Sequence, residues 1–109
     1  MANDLYLIQG TLDLLILKAL ALDSRHGYDV ARWIRETSQE DLLIEEGALY
    51  NALHRMEKRG LLKAEWGLSE NNRKAKFYRL TPTGESQLES RGQNWSRYAA
   101  AVYRILQSA

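Results

Sequence analysis

The sequence predicts a mainly α fold with a small β-hairpin, and three observations predict it. Apolar residues recur at helical spacing in successive segments between residues 11 and 60, the period drops to two over 62–66 and again within 75–80, and a heptad-like stripe closes the chain. With 109 residues, the chain is large enough for one modest core and too small for two. The expected division is a main unit with an amino-terminal arm over 1–81 and a carboxy-terminal helix over 82–109.

Leu5, Tyr6, Leu7 and Ile8 form a short apolar patch that needs something to pack on. Thr11 is placed to cap TLDLLILKALAL, a segment apolar on nearly every side, as a helix buried in a small domain is. This first helix spans roughly 11–22. Asp23, Ser24 and Arg25 break it, and a second helix over roughly 27–38 carries Val30, Ala31 and Ile34 on one face, with Trp33 at the edge. Leu42, Leu43 and Ile44 make either a short strand or a buried connector.

The third helix, 46–60, has two unlike sides. At about 100° per residue, Leu49, Ala52, Leu53, Met56 and Gly60 share one sector, while Gly47, Asn51, His54, Arg55 and Lys58 lie opposite. An amide, a guanidinium and an ammonium on one face are the groups that read base edges and grip phosphates. Gly60 supplies the usual stop. The two alternating segments then form a hairpin across a long polar loop, and Thr81 followed by Pro82 opens the last helix as cap and first helical residue. Along that helix Leu88, Gly92, Trp95, Ala99, Val102 and Leu106 recur at steps of four and three, the seam of a helix that pairs with another.

Composition narrows the function. Net charge is only +1, but residues 1–43 carry four basic and seven acidic side chains whereas 44–80 carry eight and five. The basic excess therefore travels with the third helix and the hairpin, as an electrostatic footprint requires. The absence of cysteine excludes disulfides and thiolate zinc sites, and His26 and His54 lack ligand spacing, so no metal or cofactor is expected. No signal peptide or membrane span is read, which makes the cytoplasm the default compartment. An enzyme is disfavoured: no nucleophile is set beside a base, no phosphate loop appears, and Asp13, Asp23, Glu45 and Glu46 are accounted for by capping and solvation.

Three helices followed by a hairpin is the order of a winged helix-turn-helix, whose third helix enters the major groove while the hairpin loop flanks it. The wing is then 67–76, with Glu70, Asn71, Asn72, Arg73 and Lys74 in its loop and Lys76 behind it. Such tips hold phosphate or enter the minor groove. The alternative is a winged-helix protein-protein interaction module without DNA binding.

The blocks GTLDLLILKALAL, HGYDVARWI, EGALYNALHRMEKRGLLKAEW and NNRKAKFYRLTPTGESQL resemble, in order from about residue 10 to 90, the PadR family of bacterial transcriptional regulators. The single short final helix is similar to the compact PadR subgroup. The resemblance implies a homodimer formed through the carboxy-terminal helix, an inverted-repeat operator, and repression relieved by a small molecule. Residue by residue it implies Tyr50, Asn51, His54 and Arg55 toward the groove, Lys58 toward phosphate, and Asn72, Arg73, Lys74 and Lys76 on or behind the wing. Asn51 departs from the proline that the family often has there, restoring a backbone donor and adding an amide. The dimer contact would come from Leu88, Trp95, Ala99, Val102 and Leu106, covered by Leu5, Leu7 and Ile8. Two Trp95 indoles across the axis would sandwich a flat aromatic effector.

Overall fold

The computed structural model describes the backbone of residues 5–6 and residues 10–109 in full. The element order is β1 (Leu5–Tyr6), α1 (Thr11–Leu22), β2 (Arg25–His26), α2 (Gly27–Thr37), β3 (Leu42–Leu43), α3 (Glu46–Lys58), β4 (Leu62–Leu68), β5 (Lys74–Leu80) and α4 (Pro82–Leu106). Three helices and a hairpin with a long fourth helix make a winged helix, as the sequence pattern predicts.

The core lies where α1, α2 and α3 meet. Ile16 and Leu17 of α1, Val30 of α2, and Leu53 and Met56 of α3 are wholly or almost wholly excluded from solvent, and Leu62 and Tyr78 close the sheet side. The helical period explains this convergence, because Leu49, Ala52, Leu53 and Met56 occupy one side of α3 as the sequence spacing requires. Burying side chains of this kind contributes about 1.5–3 kcal/mol each, which is the main force docking the three helices.

Local signals fix most boundaries. Gly60 adopts a φ of +78°, just past Arg59, the residue that caps the end of α3, where a residue without Cβ is least strained. At α4, the Thr81 hydroxyl accepts the Gly84 amide at 3.0 Å and donates to the Gly60 carbonyl at 2.6 Å, so one side chain both caps α4 and ties it to the end of α3. Gly84 makes that join close: a Cβ placed there would sit 2.2 Å from the Leu61 carbonyl oxygen.

Three details differ from the sequence expectation. Thr11 is the first residue of α1 rather than its cap; Gly10, at φ +89°, holds the cap position with no side-chain hydrogen bond. Residues 25–26, read as a polar break and the residue after it, form a third strand, with Arg25 opposite Tyr78 and His26 opposite Phe77 in the order β2-β5-β4. A two-residue strand has no period to detect; tertiary pairing alone makes it. The hairpin strands also run further than the alternation suggested, so β4 and β5 pair from Leu62–Leu80 to Leu68–Lys74 and the loop shrinks to 69–73.

The backbone of the first two residues of the amino-terminal patch pairs within the chain. Leu5 and Tyr6 pair in parallel with Leu42 and Leu43, which settles the 42–44 segment as a strand at its first two residues. Leu7 and Ile8, expected to cover the dimer seam, lie outside the described residues.

Candidate nucleic-acid interface

The side of α3 away from the core is an uninterrupted polar row. Gly47, Asn51, His54 and Lys58 are all exposed, and among the described residues the side chains of Asn51, His54 and Lys58 make no hydrogen bond or ion pair. Their amide, imidazole and ammonium groups are therefore unspent. A row of this width fits the major groove, and unpaired donors and acceptors are what base-edge recognition needs.

The two flanks of the same helix are engaged. On one flank, Arg55 donates to both carboxylate oxygens of Asp13 in α1, at 2.6 and 3.0 Å. This hydrogen bonding raises the guanidinium's pKa, keeping it charged and fixing its direction. The sequence placed Arg55 among the groove-facing residues and assigned Asp13 to capping and solvation; in the structure the two are a bidentate pair across α1 and α3. The helix position explains it, since Arg55 stands at the edge of the polar sector rather than its centre.

On the other flank, Glu57 accepts from the Lys76 ammonium at 3.0 Å, which raises the pKa of Lys76; the same ammonium lies 5.5 Å from the centre of the Tyr78 ring. Burial pushes the Tyr78 hydroxyl's pKa up in turn. Lys76 thus joins the wing to α3 rather than standing free behind it. Tyr50, half exposed, lays its ring on Gly27 at the start of α2, where a Cβ would come within 2.7 Å of the ring edge.

The wing adds further exposed cations to the unpaired Lys58 of α3. Ser69 and Arg73 close its loop through a 2.8 Å backbone bond, and Asn72 sits at the tip with φ +59°. The side chains of Asn72 and Arg73 are exposed and have no partner among the described residues. Lys74 extends over the face of Trp66, its ammonium 5.3 Å from the ring centre.

Between α3, the start of α2 and the wing lies an open cleft of about 520 Å³ whose wall includes Tyr28, Arg32, Tyr50, Trp66, Asn71 and Lys74. Tyr28 and Trp66 are more than half exposed. Sequence reading did not single out Tyr28, Arg32 and Trp66, which the fold brings to the wall of this cleft. Tyr28 and Arg32 belong to a helix read for its buried face, and Trp66 continues the apolar register of β4 beyond the point where the core ends. Arg32 is partly committed, donating at 2.7 Å to Asp29, which also accepts from Arg25. Burial would raise the Asp29 pKa, but the hydrogen bonds from Arg32 and Arg25 outweigh it and lower the carboxyl. His26 has a structural role: its Nδ1 accepts the Asp29 amide, capping α2.

At the opposite end of the molecule, α4 divides. Leu88, expected in the dimer seam, packs partly buried against the chain's own core. Beyond it Trp95, Tyr98, Val102, Tyr103, Ile105 and Leu106 are between 38% and 75% exposed, a density of apolar surface unusual for a helix facing water. Trp95, Val102 and Leu106 share an open groove of about 670 Å³ with Thr11 and Leu14 of α1. No helix among the described residues is long and apolar enough to cross a membrane.

Comparison with known proteins agrees with this architecture. Residues 16–90 match the Transcriptional regulator PadR-like family. A protein of Lysinibacillus sphaericus described only as uncharacterised is 30% identical over 90 residues, 83% of each chain. A transcriptional regulator from Clostridium thermocellum superposes with a TM-score of 0.82 at 28% identity, covering 91% of this chain and 93% of that one. A PadR family transcription regulator from Clostridium difficile gives 0.77 at 32% identity over 89% and 99%. A PadR-like regulator from Bacillus cereus gives 0.79 at 28% over 93% and 96%. With its helix-turn-helix, wing and long last helix matched along most of its length, the chain belongs to the PadR-like family of transcriptional regulators, DNA-binding proteins rather than enzymes.

Proposed function

We propose that the protein is a sequence-specific repressor that binds an inverted-repeat operator as a homodimer, with α3 in the major groove and the wing on the flanking backbone. The observation that carries this reading is the row of Asn51, His54 and Lys58, unpaired among the described residues and opposite a fully buried row on the same helix. Asn51 is the base reader, bonding adenine through its amide, and Lys58 meets phosphate. Arg73 and Asn72 approach the minor groove or its edges. Lys74, with Trp66, Tyr28 and Tyr50, lines the cleft through which the intervening phosphodiester strand passes.

The dimer forms through the distal part of α4. Trp95, Ala99, Val102 and Leu106 supply the contact, and the exposure of Trp95, Val102 and Leu106 in the single chain supports that role. Two-fold symmetry then sets two α3 helices about 34–36 Å apart, one turn of duplex. Trp95 is also the contact for a flat aromatic effector held in the groove, which releases DNA only by favouring a dimer geometry with the wrong helix spacing.

Selection of bound duplexes from a random pool at two salt concentrations tests the reading. Wild type enriches an inverted repeat, and binding falls steeply as salt rises. Asn51→Ala relaxes preference at one position in each half-site, worth about 1–3 kcal/mol per base pair. Lys74→Ala lowers the salt slope by about 0.9 for each phosphate it no longer neutralises. Lack of enrichment at either salt would overturn the proposal in favour of a protein-docking winged helix.

A further inference from the structure

Asp13 occupies a junction that neither the groove nor the core accounts for. It projects from the first turn of α1, its side chain only 15% exposed, and accepts both bonds of the Arg55 fork from α3. The same oxygen, Oδ2, lies 3.8 Å from the Arg91 guanidinium of α4. One carboxylate thus meets cations from two other helices. Arg91 is itself held in place, donating to Gln87 one turn earlier at 3.0 Å, and it lines the apolar groove beside Trp95. The chain of contacts runs from the groove through Arg91, Asp13 and Arg55 to the recognition helix.

We propose that Asp13 is a positioning residue, a strut that fixes the angle of α3 relative to α4 and so transmits the state of the α4 groove to the DNA-reading helix. Geometry favours a strut over a simple surface ion pair. A bidentate guanidinium–carboxylate pair constrains direction as well as distance, which a lysine could not do. The constraint spans 42 residues of sequence and links α1 to α3, whose other joins among the described residues are apolar. Apolar contacts resist separation but tolerate small rotations; a forked pair does not. Arg91, at longer range, adjusts how much of the Asp13 charge is available to Arg55. A group entering the groove and engaging Arg91 therefore alters the same junction that sets α3. The consequence for the operator rests on the reading of α3 as the groove helix, whereas the strut itself is measurable without DNA.

The chain has no cysteine, so two introduced ones are the only labelling sites. Spin labels at Ala48→Cys, exposed near the start of α3, and Arg97→Cys, exposed on α4, report the angle between the helices, with unlabelled protein in excess to isolate intrachain distances. The distance distribution is narrow in the parent, broad in Asp13→Asn and in Arg55→Ala, and narrow again in Asp13→Glu. An unchanged distribution in Asp13→Asn, in a variant that still unfolds cooperatively, would overturn the strut.

Operator binding gives the second reading. Asp13→Asn lowers affinity about tenfold with the salt slope unchanged, because the same phosphates are neutralised as before. Arg91→Ala lowers it a few-fold in the parent and has no effect in the Asp13→Asn background. Tighter binding with a steeper slope in Asp13→Asn would overturn the proposal by showing that Asp13 withholds Arg55 from phosphate. Should the parent select no duplex at all, the DNA reading fails, and the distance measurement alone decides the strut.

Discussion

Leu53 and Leu106 are both leucines on amphipathic helices, yet one is fully buried and the other three-quarters exposed. The contrast holds for their surroundings. Around Leu53, α1, α2, α3 and the sheet supply partners on every side; around Leu106 the groove has one wall from α1 and α4 and is open elsewhere. The three-helix core therefore closes within one chain, whereas the distal part of α4 leaves its apolar surface open. A closed core and an open apolar surface share a single continuous helix.

The largest expected effect is on the open side. Val102→Asp combined with Leu106→Asp leaves the core intact and turns the proposed dimer into a monomer, raising its dissociation constant by several orders of magnitude, since two carboxylates would have to be desolvated across the proposed seam. Sedimentation velocity reads this directly; a variant that stays dimeric would move the seam to another face.

Next in size is the join between the two regions. Gly84→Ala forces a Cβ into the Leu61 carbonyl and costs about 1–3 kcal/mol, measured as a lower urea midpoint at unchanged slope. A midpoint equal to the parent's would mean that α4 is not docked tightly at its start.

A smaller effect, dependent on pH, belongs to the closed side. The Asp29 carboxyl is depressed by Arg32 and Arg25, so its folded-state pKa lies below its unfolded one. Its contribution is therefore fully present above the unfolded value, near pH 4, and is lost as pH falls through the folded value. Asp29→Asn costs about 1 kcal/mol at pH 7, and the gap between variant and parent closes in acid. A difference that persists at pH 2 would assign the loss to packing rather than charge.

The smallest change is expected two turns beyond Gly84, at Gly92, which has nothing within 4 Å of the position a Cβ would take. Gly92→Ala stabilises the monomer fold by about 0.5–1 kcal/mol, the ordinary helix preference of alanine over glycine. Opposite signs at two glycines of one helix, read from the same urea titrations, would locate where docking ends and the open surface begins.

The core was legible because its signals are periodic and local. Val30, Ile34, Leu49, Leu53 and Met56 declare their faces by spacing, the all-round apolar run of α1 declares burial without choosing a face, Gly60 marks the end of α3, and Thr81 with Pro82 marks the start of α4. The polar row of Asn51, His54 and Lys58 follows from the same period, since whatever stands opposite a buried row faces water. Less legible were features that depend on a partner distant in sequence. Arg25–His26 is a strand only because β5 lies beside it, and Leu88 joins the core only because α4 crosses α1 near its start.

Residue order alone thus carries the succession of elements, the inner and outer faces of α2 and α3, and the chemistry on offer at α3 and the wing. Which of those cations are spent was set by tertiary packing. Arg55 and Lys76 stand on the flanks of the polar surface, where Asp13 and Glu57 come within hydrogen-bond reach; Lys58 and Arg73 have no such neighbour among the described residues. The physical reason is that helical period assigns a residue a direction, but an ion pair needs two directions to converge on one point, and that convergence exists only once α1, α3 and the hairpin have packed.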